Sequence, residues 1–158
     1  MVKRVSDALV VEAVVVHPTW TNFDATVTGL VDQLVAVGRL PGERAIDAVT
    51  HIAEREAMAS TAMVDIGISI PHARFAGIEG IVAAMAVAPK AVYQLADGLP
   101  IAIVVLALSS PDLQGEHLTF LSSVSILLQS GRVRQRLRHA ASADEVLQIV
   151  RGNETPGM

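Results

Sequence analysis

Ile66-Gly67-Ile68-Ser69-Ile70-Pro71-His72-Ala73-Arg74 is the stretch on which the reading of this chain turns. Its apolar alternation predicts a short strand over Ile66–Ile70. Pro71 lacks an N–H and fixes φ, so the strand is expected to stop there and to present His72 at its end. A histidine on such a corner has rigid backbone behind it and open space before it. That suits an imidazole that takes up a group and hands it on. Among the five histidines, His72 is the one on which a mechanism can be built.

On the N-terminal side, residues 8–16 are predicted as a first strand. Thr21-Asn22-Phe23-Asp24 has the form of a helix N-terminus with Thr21 as cap, and Phe23, Val27, Leu30, Val31 and Leu34 recur at helical spacing until Gly38. After Leu40-Pro41-Gly42, a second helix runs through Ala45, Val49 and Ile52 to about Ala57 or Met58. Strands are predicted at Ile66–Ile70, Gly80–Ala88 and Pro100–Leu108, the last almost wholly Ile, Val, Leu and Ala and therefore buried on both faces. Ser109–Gly115 reads as a polar loop and a helix follows from Glu116. A short basic helix spans Arg132–His139, and a last one is capped by Ser142 with Glu145. The order β-α-α-β-β-β-α-α-α fits an α+β, three-layer fold: a mixed sheet of about four to five strands with helices on both faces. One domain is expected over 1–151, with 152–158 a disordered tail.

Composition narrows the functions. At 158 residues the chain is long enough for one substantial core, and 51% apolar residues with a mean hydropathy of +0.47 make that core aliphatic. The longest apolar runs are strand-length and fall short of the ~20 residues of a spanning helix. Glu12 interrupts the first of them and no signal-cleavage site follows, so a cytoplasmic protein is expected. There is no cysteine, which removes disulfides and thiolate chemistry. A net charge of −4 and five aromatic residues leave no general basis for nucleic-acid binding. No glycine-rich phosphate loop occurs, so no nucleotide or other cofactor is expected.

Four segments stand out together: Glu54-Arg55-Glu56, Ser60-Thr61, Gly67–Arg74 and Glu116-His117-Leu118. In that order they resemble the hallmark of the EIIA type-2 domains of the bacterial phosphoenolpyruvate-dependent phosphotransferase system. This is the fructose/mannitol branch, which includes nitrogen-regulatory IIA proteins. The likeness runs from about residue 8 to 151. It implies that His72 accepts a phosphoryl group, that His117 is the second active-site histidine and that Arg55 stabilises the phosphate. An HPr-type protein would be the donor, and a IIB-type domain or a regulatory target would be the recipient. Membrane contact would be only indirect, through a transporter. A homodimer is permitted but not required. The chemistry agrees: phosphoryl transfer asks for in-line placement and stabilised charge, and a neutral imidazole is a competent nucleophile near pH 7. Arg55 offers a planar fork to phosphate oxygens, and His117 near a helix start offers an N–H. Ser69 and Thr61 are lesser candidates for holding the phosphate or the ring. The chain departs from the family in its Thr61–His72 connection, which is one residue longer, more apolar and carries Asp65.

Other readings stay open beside this one. The protein is either a sugar-uptake phosphocarrier, a nitrogen-regulatory signalling protein, or a IIA-fold binding module that has lost transfer. The absence of a fused IIB, IIC or HPr segment leans mildly toward a regulatory or separate subunit. A hydrolase using His72 as base lacks a placed nucleophile, and a His72–His117 metal site lacks a third ligand. His51 shares a helix face with Arg55. Arg132, Arg134, Arg136 and Arg138 read as solvated charges, and Ala73, Phe75 and Met85 as members of the apolar rim on which partner proteins dock, with Phe75 alternatively a core residue.

Overall fold

The computed structural model describes residues 4–18 and 20–154. Its centre is β7 (Ile103–Ser109), in which every residue is buried. One edge of β7 pairs antiparallel with β4 (Ile81–Val87) over the full length of both. Parallel to β4 and outside it lies β1 (Val14–Val16). The other edge of β7 carries two short parallel strands in line, β2 (Ile68–Ser69) and β3 (His72–Arg74). A separate two-stranded ribbon joins β5 (Tyr93–Gln94) to β6 (Pro100–Ile101).

The apolar runs of β4 and β7 feed two cores because successive strand residues point to opposite faces. Ile81, Ala83, Met85 and Val87 join Ile103, Val105 and Ala107 on one face. There they pack with α1 (Val5–Ala8), α4 (Gln114–Gln129), α5 (Gly131–Arg138) and α6 (Ala143–Asn153). Val82, Ala84, Ala86, Val104, Leu106 and Leu108 face α2 (Phe23–Ala36) and α3 (Ala45–Met58). The expected three-layer mixed sheet is therefore present. Among the described residues no helix is long and apolar enough to cross a membrane.

Several expected boundaries move, each for a local reason. The strand expected over 8–16 shortens to Val14–Val16, because a 3-10 turn at Val11–Ala13 carries Glu12 into solvent. Helix α2 is capped by Asn22, whose Oδ1 accepts the Ala25 N–H at 2.8 Å, and not by Thr21. The strand expected over Pro100–Leu108 divides at Ala102, whose N–H donates to the Gly67 carbonyl, and its first two residues turn into the ribbon with β5. Ser109, assigned to a loop from sequence, is the last residue of β7. The final helix continues to Asn153, and Glu154 accepts the Ser6 N–H at 3.0 Å. That contact holds 152–154 against α1, and the rest of the expected tail lies outside the described residues.

The decisive correction concerns Pro71. Strand β2 ends at Ser69, as expected just before the proline, but the chain does not leave the sheet edge there. Ser69 pairs with Val104 and His72 with Ala107, so the register is the same on both sides of the proline. The Pro71 carbonyl still accepts the Ala107 N–H at 3.0 Å. Pro71 presents that carbonyl to β7 but has no N–H to donate beside it, so the ladder lapses at Ile70 and Pro71 and resumes at His72. His72 is thus embedded in a sheet edge, with Ala73 turned to the α3 side.

Leu106 is fully buried in the α2/α3 core, whereas Ile126 on α4 is 63% exposed. Leu106→Ala should cost about 3 kcal/mol in urea unfolding and Ile126→Ala less than about 0.5 kcal/mol. Equal losses would contradict this placement of the core.

Candidate functional site

The site forms where the β3 edge meets the C-terminal half of α3 and the first turn of α4. His72 and Arg74, two apart on β3, project from the same face, and Ala107 and Ser109 lie beside them on β7. A cavity of about 370 Å³ opens there, lined by His51, Glu54, Arg55, Met58, His72, Arg74 and His117. The three residues singled out from sequence, His72, His117 and Arg55, are thus brought together. The rings of His72 and His117 stand 5.5 Å apart between centroids, tilted by 54°.

Both imidazoles are buried, His72 at 9% and His117 at 5% exposure, so both disfavour the charged form. Burial is the main cause that lowers the His72 pKa. Its hydrogen bond to Ile70 opposes that, and Arg55 lowers it further. Burial, helped by His72, Arg74 and Arg55, brings His117 down to about 4. At neutral pH both rings are neutral. His72 Nδ1 lies 2.7 Å from the Ile70 carbonyl oxygen. A carbonyl only accepts, so Nδ1 carries the hydrogen and Nε2 keeps its lone pair.

The ring is placed by a short chain of contacts. Glu56, at the end of α3, accepts the Thr61 N–H at 2.7 Å and the Thr61 hydroxyl at 2.8 Å. Thr61 Oγ1 in turn accepts the Ile70 N–H at 3.2 Å. Thr61 is therefore engaged in holding the peptide that holds the ring. Ser69 is buried and accepts from the Tyr93 hydroxyl at 3.3 Å, so it is occupied outside the cavity. The longer Thr61–His72 connection is absorbed in a tight loop: Met63 N–H donates to the Ile68 carbonyl, the Gly67 N–H donates back to Met63, and Gly67 takes φ +69°. Its Asp65 lines a different cavity, with Lys90, Arg134 and Arg138.

Arg55 lines the site while Nη1 donates to the Ala59 carbonyl at 3.0 Å. The residue missed from sequence is Arg74. Its Nη1 is buried with no hydrogen-bond partner among the described residues. An unpaired buried guanidinium N–H is costly, and an anion in the cavity would relieve it. The period-2 spacing from His72 is the signal that points to it. The expected docking rim is corrected as well. Met85 and Phe75 are each 1% exposed, whereas Ala73, 6% exposed, does line the cavity. Phe75 packs edge-on to His51 and under Arg44, and Met85 faces the other core. The exposed apolar side chain lining the site is Met58. His51 borders the cavity, its Nδ1 bonded to the Asp47 carbonyl at 2.8 Å. Of the four arginines of α5, Arg134 and Arg138 bond backbone carbonyls of Leu128 and Pro89, while Arg132 and Arg136 are exposed.

Comparison with known proteins returns one family and consistent neighbours. The model described as "Phosphoenolpyruvate-dependent sugar phosphotransferase system, EIIA 2" matches residues 9–153. A nitrogen regulatory protein of Pseudomonas aeruginosa is 32% identical over 101 residues, 63% of this chain and 65% of that protein. The fructose-specific EIIABC component of Bacillus subtilis is 30% identical over 126 residues, 77% of this chain and 19% of that protein. The matches thus span just under two thirds of the first relative and about a fifth of the second. The crystal structure of nitrogen regulatory protein IIA-Ntr from Neisseria meningitidis superposes with TM-score 0.77 at 23% identity, covering 92% of this chain and 98% of that one. The IIA mannitol enzyme of Escherichia coli, in its complex with phosphorylated IIB, gives 0.71 at 19%, covering 91% and 97%. At such identities the two structures carry the fold.

The lowered pKa values have a consequence for stability. Between about 4 and the ordinary 6.5, the unfolded chain binds a proton at His117 that the folded chain does not. Stability therefore rises with pH through that window and is fully present above it. Urea midpoints should fall as pH drops from 7 to 4.5, and more steeply in the wild type than in His117→Asn. Parallel pH profiles would refute the buried neutral His117.

Proposed function

The chain belongs to the EIIA 2 family of the phosphoenolpyruvate-dependent sugar phosphotransferase system, and on that footing we propose that it is a cytoplasmic phosphocarrier. His72 accepts a phosphoryl group from an HPr-type donor and passes it to a IIB-type partner in sugar uptake. One observation carries this: a buried, neutral imidazole has its Nδ1–H tied to Ile70, leaving the Nε2 lone pair as the nucleophile in a cavity with two arginines and a second histidine. The Escherichia coli complex of IIA mannitol with phosphorylated IIB supports a IIB-type acceptor.

In the transfer, the Nε2 lone pair of His72 attacks phosphorus in line. The bond from phosphorus to the donor's nitrogen breaks as the new N–P bond forms, and that electron pair stays with the donor ring. No proton need leave His72, because Nδ1–H remains on the Ile70 carbonyl. The ring then carries positive charge beside the phosphoryl group, which keeps the N–P bond weak and return easy. Arg74, with its unpartnered Nη1, and Arg55 offset the charge spread over the three phosphoryl oxygens. His117 sits within reach of the same oxygens. Met58, exposed at the cavity, provides apolar contact for transient docking.

A second reading is favoured by the nitrogen regulatory relative at 32% identity: the phosphorylation state of His72 is itself the signal, read by a regulatory target. The two readings share the first step and divide at the recipient.

With phosphoenolpyruvate, enzyme I and an HPr-type donor, the wild type should gain one phosphoryl group by intact mass at alkaline pH, and His72→Ala none. Arg74→Ala and His117→Ala should slow the gain by about ten- to a hundredfold. Discharge by IIB-type proteins supports transport, and a stable phosphoprotein in their presence supports signalling. No phosphate from several donors would leave the binding-module reading.

A further inference from the structure

His117 Nδ1 lies 2.6 Å from the Ser109 hydroxyl oxygen. Ser109 is fully buried at the end of β7, and this is the only hydrogen bond its hydroxyl makes among the described residues. Two assignments of hydrogens fit the distance, and they are not equivalent. If Nδ1 carried the hydrogen, it would donate to Oγ, and the hydroxyl hydrogen would be buried with no acceptor. If the hydroxyl donates to Nδ1, every hydrogen is used and the ring's own hydrogen sits on Nε2. A buried donor without a partner is strongly disfavoured, so the second arrangement holds.

The neighbouring ring is held in the opposite form. The Ile70 carbonyl can only accept, so it keeps hydrogen on Nδ1 of His72 and leaves Nε2 bare. Two imidazoles 5.5 Å apart are thus fixed by different backing groups as complementary tautomers, one a nucleophile and the other a donor. We infer that Ser109 is a positioning residue for phosphoryl transfer: by donating its hydroxyl hydrogen to Nδ1, it fixes His117 as the Nε2–H tautomer, which donates a hydrogen bond to the phosphoryl oxygens on His72. The inference rests on the phosphocarrier reading for its function, but the tautomer can be measured without it.

The charged and titratable groups that share the cavity with His117 are His51, Glu54 and Arg55 of α3 and His72 and Arg74 of β3, and of these His72, Arg74 and Arg55 act on its titration. All three oppose protonation of its ring, which leaves the tautomer as the property that decides what the ring can donate. An imidazole in the wrong tautomer would turn a lone pair toward the incoming anion. That explains why a serine at this point of the strand, behind the ring and away from the phosphate, has consequences for the reaction.

The test combines ¹⁵N histidine spectra of the unphosphorylated protein at pH 7 with single-turnover transfer from the phosphorylated HPr-type donor, for wild type, Ser109→Ala and Ser109→Thr. The expected result is an Nε2–H His117 in the wild type and in Ser109→Thr. In Ser109→Ala the ring should become a mixture of tautomers, with transfer about tenfold slower or more. An Nδ1–H ring in the wild type overturns the inference, and that measurement needs no variant to fold. It is equally overturned if Ser109→Ala keeps a pure Nε2–H ring or transfers at the wild-type rate. A wild type that takes no phosphate removes the phosphocarrier reading instead, and the spectra then decide by themselves whether Ser109 sets the tautomer.

Discussion

Strand β7 is buried on both faces and paired along both edges, and the surrounding elements are arranged to satisfy it. A strand in this position has no access to water, so each of its peptide groups needs a protein partner. Strand β4 supplies them along one edge. On the other, β2 and β3 supply them in one register on either side of Pro71, which gives only its carbonyl. Keeping that register sets His72 beside Ala107 and Arg74 beside Ser109. From Ser109 the chain passes through one short loop into α4, which returns His117 over the same strand end. The two histidines meet because they are anchored to the same end of one strand.

What distinguishes the site electrostatically is positive charge with little to balance it. Arg55 and Arg74 face the cavity against Glu54, and Glu56 is taken up by Ser60 and Thr61. Burial keeps the two imidazoles neutral, so they do not add to the repulsion between the guanidinium groups. A dianionic phosphoryl group fits this state: it gives a partner to the Arg74 Nη1 that lacks one and requires no prior proton loss from either ring. Met58 of α3 is the exposed apolar side chain at the opening.

Much of this is legible in the order of the residues. Proline and histidine at the end of an alternating apolar run mark the edge on which the site is built. The near-continuous Ile, Val, Leu and Ala of 100–108 mark the buried central strand, since only a strand covered on both faces can be apolar at every position. Helix α3 has the expected ends, because its pattern is long and periodic. Where the sequence misleads, the cause is a hydrogen bond or a contact made at a distance along the chain. Ala102 bonds Gly67 and so divides one apolar run into two strands, and Met85 reads as available for docking although it is buried in the core on the other face of the sheet. Arg74 and Ser109 are ordinary residues in the sequence. Only the pairing of β3 with β7 makes them neighbours of the two histidines.

Family, three-layer mixed sheet and the candidate residues His72, His117 and Arg55 all follow from the amino-acid sequence alone, because apolar periodicity and motif order are local properties of the chain. Which nitrogen of each imidazole bears its hydrogen, which cation lacks a partner and which apolar side chains remain exposed are settled at the tertiary level. Those are properties of burial and of contacts between segments far apart in the chain, and they arise only when β3, β7, α3 and α4 close around one strand end.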